Sequence, residues 1–168
     1  MIKRSKIHLF LFLFPLLYLI HDIEEILTVE KFLLKHSDLF PFRITALEFA
    51  VAFSLLWILA LVGCFQTYRN KRFLGMKPAT YLAFLVPGII LANAIGHVLQ
   101  FIYLKDYIPG LITSIIILIP YSFFTARFLI IRGEITVKKL VTYFVIGFLA
   151  QGPLALLAHI VSSTIVKW

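Results

Sequence analysis

The sequence predicts an all-α fold, a polytopic membrane helix bundle with five transmembrane helices that form one domain over residues 1–168. Hydrophobic residues make up 61% of the chain and charged residues 14%, whereas a soluble domain has roughly 45–50% and about 25%. Five segments are long enough to cross ~30 Å of hydrocarbon at about 1.5 Å per residue. None shows the two-residue alternation of a membrane β-barrel, so helices are predicted.

Each predicted helix is an apolar run bounded by charged residues or by proline. The first follows a basic segment and contains the uncharged run Leu9–Ile20. The third begins at Pro78 and the fourth at Pro109, because proline fits the first turn of a helix. The five predicted helices are residues 7–27, 44–67, 78–104, 109–131 and 137–166. Pro87, Pro120 and Pro153 fall inside the third, fourth and fifth of them and predict bends.

The basic residues predict the orientation in the membrane. With the N-terminus in the cytoplasm, eleven of the sixteen Lys and Arg residues lie inside and five outside. The positive-inside rule therefore favours a cell-membrane protein with a cytoplasmic N-terminus and an external C-terminus. We assign the net charge of +8 to this topology and to contact with anionic headgroups. Membrane lipids are expected partners, and nucleic acid is not.

One ionisable cluster, His21-Asp22-Ile23-Glu24-Glu25, lies inside the first apolar segment. Ionisable groups at membrane depth are costly and are usually retained where they pair, line a cavity or bind a ligand. The cluster is therefore the first candidate for a functional site. The single cysteine, Cys64, leaves no intramolecular disulfide and no thiolate metal site to consider.

We calculated the depth of each polar residue in the membrane from the basic residues at the inner face. Polar residues of all five helices come out at a similar depth. His21 lies at ~22 Å, and Glu24 and Glu25 lie at ~27–28 Å. The same count gives ~24–31 Å for polar residues on the other helices. These are Glu48, Asn93, His97, Ser114 and His159. Gln151 comes out deeper, at ~18 Å. We predict a polar layer in the outer half of the membrane.

Rotation about the first helix sorts the cluster further. At about 100° per residue, Glu24 and Glu25 flank His21 at about −60° and +40°, so all three share one face. Asn93 and His97 are four residues apart and also share a face. Asp22 lies about 100° from His21 and is expected to point sideways, toward headgroups or behind the site.

Imidazoles and carboxylates together suit a divalent metal, zinc or iron first and manganese next. No Lys or Arg lies in the layer to neutralise the carboxylates, which favours a bound cation. The alternative is that these groups are hydrated near the interface and are each satisfied by a neighbouring helix. The candidate metal ligands are His21, Glu24, Glu25, Glu48, His97 and His159.

Three short motifs resemble a known family. His21-x-x-Glu24-Glu25, Asn93-x-x-x-His97 and Tyr107-x-Pro109-Gly110 are similar in order and spacing to the HXXEE family of small integral membrane proteins. The resemblance covers the chain from the first helix to the start of the fourth. It implies a compact multi-helix membrane fold and no particular reaction. The residues whose importance it implies are His21, Glu24, Glu25, His97, Tyr107, Pro109 and Gly110.

The function favoured by the sequence is a metal-dependent membrane hydrolase that acts on a lipid or another amphiphile. His21, His97 and one glutamate would hold the metal, and a water on the metal would attack the substrate. The other glutamate would accept a proton. Asn93 or Tyr107 would stabilise developing oxyanion charge, although Tyr107 also fits a simple interfacial anchor.

Other functions stay open at this point. A carboxylate-rich two-iron oxidase site is the alternative within the enzymes. A proton-coupled transporter or ion pathway would use the same carboxylates and imidazoles to carry protons. A non-catalytic subunit could use the polar layer to bind a partner helix.

Overall fold

The computed structural model describes residues 2–39 and 44–166, and the side chains of residues 2–6 are not among the described atoms. It contains five long helices. They are α1 (Ile2–Lys35), α2 (Ala46–Tyr68), α3 (Pro78–Leu104), α4 (Leu111–Ile131) and α5 (Val137–Val166). All five are long and apolar enough to span a membrane, so the chain is an all-helical, multi-pass membrane bundle. Five of the sixteen basic residues used to predict the orientation have side chains outside the described atoms. They are Lys3, Arg4, Lys6, Arg43 and Lys167.

Helix α1 extends to Lys35, well past the predicted end at residue 27. Its last turns carry an apolar stripe, because Val29, Phe32 and Leu33 are buried. They pack with Phe49 of α2 and with Ile108 in a second, smaller apolar core. Burial of this stripe stabilises the turns beyond residue 27, where the charged residues had predicted the end of the helix.

Helix α2 begins with a capping box. The Thr45 hydroxyl accepts a hydrogen bond from the Glu48 N–H at 3.1 Å, and the Glu48 carboxylate accepts one from the Thr45 N–H at 2.9 Å. Each side chain thus satisfies a backbone donor that the first turn of a helix leaves unpaired. Glu48 therefore has a structural role at the start of α2.

Two helices contain π-helical turns beside a proline. In α3 the turn is Phe84–Ile90, which includes Pro87, and in α4 it is Ser114–Leu118, shortly before Pro120. Proline has no N–H and its ring crowds the carbonyl one turn earlier, which fits a locally widened turn. The third proline, Pro153, lies in a stretch of α5 that stays α-helical.

Helix α4 begins at Leu111, two residues later than predicted. Gly110 has φ of +77° and forms a turn with Pro109, so the proline precedes the helix. At the other end of the connection Lys105, with φ of +51°, terminates α3 in the left-handed conformation. We call residues 105–110 the outer loop, after the predicted topology.

Helix α3 is the most buried of the five and packs against α1, α2, α4 and α5. It approaches α5 closely, because a Cβ on Gly147 would lie 2.7 Å from the Gly88 carbonyl oxygen. Polar side chains also connect helices through backbone carbonyls. Trp57 donates to the Pro15 carbonyl at 2.9 Å, and Tyr121 donates to the Phe10 carbonyl at 2.6 Å.

Candidate metal site

The centre of the candidate site is a compact group of two histidines and one glutamate. His21 and Glu25 come from α1 and His97 from α3, and one ligand atom of each lies within 4.8 Å of the others. Glu25 Oε1 is 3.1 Å from His97 Nε2 and 3.8 Å from His21 Nε2. All three residues are buried, with relative exposures of 0%, 4% and 7% for His21, Glu25 and His97. We call these three residues the His/Glu group.

Asn93 lies between the two imidazoles, on the face of α3 that it shares with His97. Its Nδ2 lies 3.1 Å from His21 Nε2 and 3.2 Å from His97 Nε2. Both imidazoles therefore turn their Nε2 atoms toward the same point. A histidine binds a metal through an unprotonated ring nitrogen, so Nε2 is the atom that each would use.

Thr113 contacts the other ring nitrogen of His21. Its Oγ1 lies 2.8 Å from His21 Nδ1 and donates to the Gly110 carbonyl at 3.3 Å. With Nδ1 held in this contact, Nε2 is the ring nitrogen that faces the group. A ring nitrogen held by a hydrogen bond, with the other nitrogen facing the metal, is the usual arrangement for metal-binding histidines. Sequence reasoning missed Thr113, and nothing in its residue type or spacing indicated the role.

Several buried polar atoms have no hydrogen-bond partner within the described part of the chain. Two belong to the His/Glu group, namely Glu25 Oε2 and His97 Nδ1. The others are Asp22 Oδ1 and the hydroxyl of Ser114. Burial of a polar atom without a partner is costly, so we expect a water molecule or a ligand beside these atoms. Asp22 is only 2% exposed, so the expectation that it points toward headgroups is wrong.

Glu24 points away from Glu25 and holds the outer loop. One carboxylate oxygen accepts hydrogen bonds from the Tyr107 hydroxyl at 2.5 Å and from the Ile112 N–H at 3.1 Å. The other accepts from the Thr113 N–H at 2.8 Å. Glu24 therefore caps the first turn of α4, where the unpaired N–H groups and the helix dipole stabilise a negative charge. The two glutamates were predicted to share one face with His21, but they contact different groups. Glu24 contacts the start of α4, whereas Glu25 contacts the two histidines.

Gly110 packs directly onto the His/Glu group. A Cβ at this position would lie 2.6 Å from His21 Cε1 and 2.9 Å from Glu25 Cγ. The left-handed backbone of Gly110 also disfavours any side chain. Glycine is thus required both by the conformation of the turn and by the close approach of the loop to the site.

The outer end of α1 is joined to the same loop by charged groups. Lys35 and His36 both contact the Asp106 carboxylate, His36 at 2.8 Å. The hydrogen bond from Lys35, followed in size of effect by the one from His36, lowers the pKa of the Asp106 carboxyl to about 2. In the next residue, burial and the hydrogen bond to Glu24 raise the pKa of Tyr107 to about 12, so the phenol stays a donor.

A cavity of about 730 Å³ opens beside the His/Glu group. Apolar side chains of α1, α2 and α5 form most of its wall, and Glu25, Asn93 and His97 contribute polar atoms. The volume falls within the roughly 300–1,000 Å³ of clefts that bind one small molecule.

Glu48 and His159 also line this cavity but lie outside the His/Glu group. Glu48 belongs to the capping box of α2, and the ring of His159 lies 5.5 Å from that of Phe49. Gln151 lines the cavity as well, with its amide 3.5 Å from the Ile89 carbonyl. The capping signature Thr45-x-x-Glu48 is visible in the sequence and could have indicated the role of Glu48.

The contacts within the site have the dimensions of a coordination shell. Ligands ~2.0–2.1 Å from a tetrahedral zinc are separated from one another by about 3.3 Å. Among the three candidate ligands, Glu25 Oε1 lies 3.1 Å from His97 Nε2 and 3.8 Å from His21 Nε2, and all three ligand atoms lie within 4.8 Å of one another. The ligand atoms are therefore close to the spacing that one ion would need.

A comparison with family models matches residues 12–125 to the description "Protein of unknown function with HXXEE motif". The matched region contains the whole His/Glu group, Asn93 and the outer loop, and it ends before α5. No curated protein and no solved structure matches the chain. Since the match covers more than half of the 168 residues, the chain belongs to the HXXEE family.

Proposed function

We propose that the protein is a metal-dependent membrane enzyme of hydrolase type that acts on a lipid or another amphiphile. The observation that carries this proposal is the buried His/Glu group beside an apolar cavity. Two imidazoles and one carboxylate suit zinc or iron and leave coordination positions open for a substrate. A divalent zinc or iron ion is therefore the proposed cofactor.

The electrostatics of the site support a cation. Glu25 is buried, and neither Lys nor Arg lines the cavity among the described residues. A buried carboxylate is stable when it is paired with a positive charge or protonated. A divalent ion held by His21, His97 and Glu25 provides that charge without any further basic residue.

The contacts suggest separate roles for the four polar residues predicted as catalytic. Glu25 would bind the metal through Oε1, which leaves Oε2 to accept a proton from water. Asn93 donates toward the centre of the group and would stabilise developing negative charge on the substrate. The bound cation would supply Lewis acidity. Glu24 and Tyr107 contact each other and the start of α4, so we propose that they position His21 through Thr113.

The first experiment measures the metal content of the purified protein by elemental mass spectrometry. We expect about one zinc or iron per chain, lost in His21→Ala and in His97→Ala because each removes one of three protein ligands. His8→Ala is the matched control, because His8 packs against Tyr68 away from the site. A metal-free wild type that takes up neither ion, with unchanged thermal stability in both site variants, would contradict the proposal.

The second experiment tests the reaction with a chromogenic ester, para-nitrophenyl decanoate, in detergent micelles. We expect hydrolysis that requires the metal and falls at least about a hundredfold in Glu25→Gln, which removes both a ligand and the proton acceptor. Equal rates for the wild type and Glu25→Gln would rule out the proposed mechanism.

A proton pathway is the second candidate function, and one contact favours it. Glu25 Oε1 and His97 Nε2 are 3.1 Å apart, which is short enough for them to share a proton. A transporter of this kind would move solute in sealed vesicles in response to a pH gradient and would bind no metal. Uptake that depends on the gradient and is lost in His97→Ala would favour it over the enzyme.

For localisation, we propose the cell membrane with the N-terminus in the cytoplasm and the C-terminus outside. The side of the bundle that this orientation places inside carries eight of the eleven described basic side chains. They are Arg69, Lys71, Arg72, Lys77, Arg127, Arg132, Lys138 and Lys139.

A further inference from the structure

The His/Glu group is buried, so an ion that binds there needs a route from water. His21, Glu25 and His97 are only 0%, 4% and 7% exposed. The cavity of about 730 Å³ reaches the group, but most of its described wall is apolar. Transfer of a divalent ion out of water into apolar surroundings is costly. We therefore expect the ion to enter on another side of the group.

The outer loop covers the group at one end of the bundle. Its last residue, Gly110, packs so closely that an added Cβ would lie 2.6 Å from His21 Cε1 and 2.9 Å from Glu25 Cγ. Ile108 is 1% exposed and packs in the second apolar core, with Phe32 among its neighbours. A movement of this loop alone would uncover the group, because the three candidate ligands lie on α1 and α3.

The side of the outer loop that faces α1 is polar. Glu24 accepts the hydrogen bond of the Tyr107 hydroxyl, and both residues are partly exposed. The preceding residue, Asp106, adds a second carboxylate whose side chain is 26% exposed. Carboxylates at the mouth of a passage attract cations and repel anions. This side of the group therefore favours the entry of a cation more than the apolar wall of the cavity does.

Both ends of the outer loop have a left-handed backbone. Lys105 has φ of +51° and Gly110 has φ of +77°. The left-handed region is unfavourable for a residue with a side chain, so the conformation of Lys105 has to be held by contacts elsewhere in the loop. The closed position of the loop therefore depends on the side chains that attach it to α1.

Charged contacts attach the loop to the end of α1. The Asp106 carboxylate contacts the Lys35 ammonium group and, at 2.8 Å, the His36 imidazole. The Lys35 side chain is 64% exposed, so water competes for this contact. Ion pairs of this kind are weak, and they can break while the apolar packing of the helices stays intact. Asp106 is thus placed to control how often the loop opens.

We propose that the outer loop is a gate through which a divalent cation passes from water to the His/Glu group, and that Asp106 holds this gate closed. The inference rests on the proposed metal-dependent function, for which it names the route of the ion. Opening would separate Gly110 from His21 and Glu25 and would expose Ile108. Because the ligands keep their positions on the helices, a weaker latch changes the rates of binding and release while the affinity stays nearly constant.

The first test measures how fast the metal exchanges. The full-length protein in lipid nanodiscs is loaded with Zn²⁺ and mixed with the chelating dye 4-(2-pyridylazo)resorcinol, and release is followed by absorbance. Asp106→Asn removes the charge and keeps the oxygen that accepts from the Tyr107 N–H. We expect uptake and release each to become about fivefold faster, the upper range for an exposed ion pair, with the affinity unchanged within about twofold.

Two further variants show whether charge is responsible. Asp38→Asn is the matched control, because Asp38 is an exposed aspartate three residues after Lys35 and loses the same charge. It should leave both rates unchanged. Lys35→Asp and Asp106→Lys should each speed release, and the double variant, in which the two charges are exchanged, should restore part of the slow release.

A second measurement requires no metal. In the Cys64→Ala background, Ile108→Cys places a thiol on the buried side of the outer loop, where a water-soluble maleimide reaches it only when the loop opens. Asp106→Asn should speed this labelling by the same factor as metal release. Asp38→Asn should not change it.

Failure of the gate differs from failure of the metal site. If metal binds and Asp106→Asn exchanges it no faster than Asp38→Asn, the gate is overturned and the metal site stands. Faster labelling without faster metal exchange would also overturn the gate, because the ion would then use another route. A protein that binds no metal in any variant would reject the proposed enzyme and the cation route together, even if labelling still depended on Asp106.

Discussion

Glu24 and Glu25 are adjacent in the sequence and have different partners. Glu25 contacts the two histidines, whereas Glu24 accepts hydrogen bonds from Tyr107 and from the first turn of α4. Residue type and helical phase predicted that both glutamates are important, but they could not assign which one faces the metal. That choice depends on where α4 begins, and a glycine turn moves its start to Leu111.

The close packing of the outer loop on the site gives a prediction at the residue scale. Gly110→Ala places a Cβ against His21 and Glu25 and adds a cost of about 1–2 kcal/mol for a side chain in the left-handed region. We expect a loss of stability in thermal unfolding together with a loss of bound metal.

Gly75→Ala is the matched control for that change. Gly75 has φ of +76°, against +77° for Gly110, and a Cβ there would contact nothing within 4 Å. It should show the backbone cost without the loss of metal. If the two variants bind metal equally, the contact of Gly110 with the site has no functional weight.

At the scale of the helices, the residues of the site follow or precede irregular turns. The π-helical turn of α3 ends at Ile90, three residues before Asn93, and that of α4 begins at Ser114, just after Thr113. A π-helical turn changes the rotation of the residues that follow it. The direction in which Asn93 and His97 point therefore depends on the π-helical turn around Pro87. A calculation that assumes about 100° per residue along the whole helix does not include that turn.

The crossing of α3 and α5 supports this irregular turn and gives the second prediction. A Cβ on Gly147 would lie within 3 Å of three backbone atoms of Gly88 and Ile89, and backbone cannot move aside as a side chain can. We expect Gly147→Ala to lower stability by about 1–3 kcal/mol through overpacking. The measurement is thermal unfolding in detergent.

Gly152 is the control on the same helix, because a Cβ there would contact nothing within 4 Å. Gly152→Ala should be neutral or stabilise α5 by up to about 1 kcal/mol. Equal stability of the two variants would mean that α3 and α5 are less tightly packed than the structure indicates.

For the whole molecule, the five helices could be predicted from the sequence because each apolar run is long enough to span the membrane and is bounded by charge or proline. The sequence could also predict that the His/Glu group and Asn93 lie together, because the depth and the rotation of a residue on a helix both follow from its position in the sequence. Thr113 and the position of Glu48 in a capping box were not predicted, and helical phase left Asp22 with two directions, toward headgroups or behind the site. The contacts of Thr113 and the direction of Asp22 depend on which helices pack together, and packing in lipid leaves little periodic signal.

The orientation of the molecule gives the third prediction. In a background where the single cysteine is removed by Cys64→Ala, Asp38→Cys and Glu134→Cys place thiols in exposed connections at opposite ends of the bundle. With the N-terminus inside, a membrane-impermeant maleimide should label residue 38 and not residue 134 in intact cells. Both should be labelled after permeabilisation, and the reverse pattern in intact cells would invert the topology.

The divergence of the two glutamates has a mechanical consequence for α1. Neighbouring residues of a helix point about 100° apart, so α1 holds Glu24 against the outer loop and Glu25 against His97 at a fixed angle. Inserting or deleting one residue between His21 and Glu24 would rotate both glutamates by about 100° relative to His21. The contact with the outer loop and the geometry of the candidate ligands would then be lost together, so we expect this segment to tolerate changes of residue type better than changes of length.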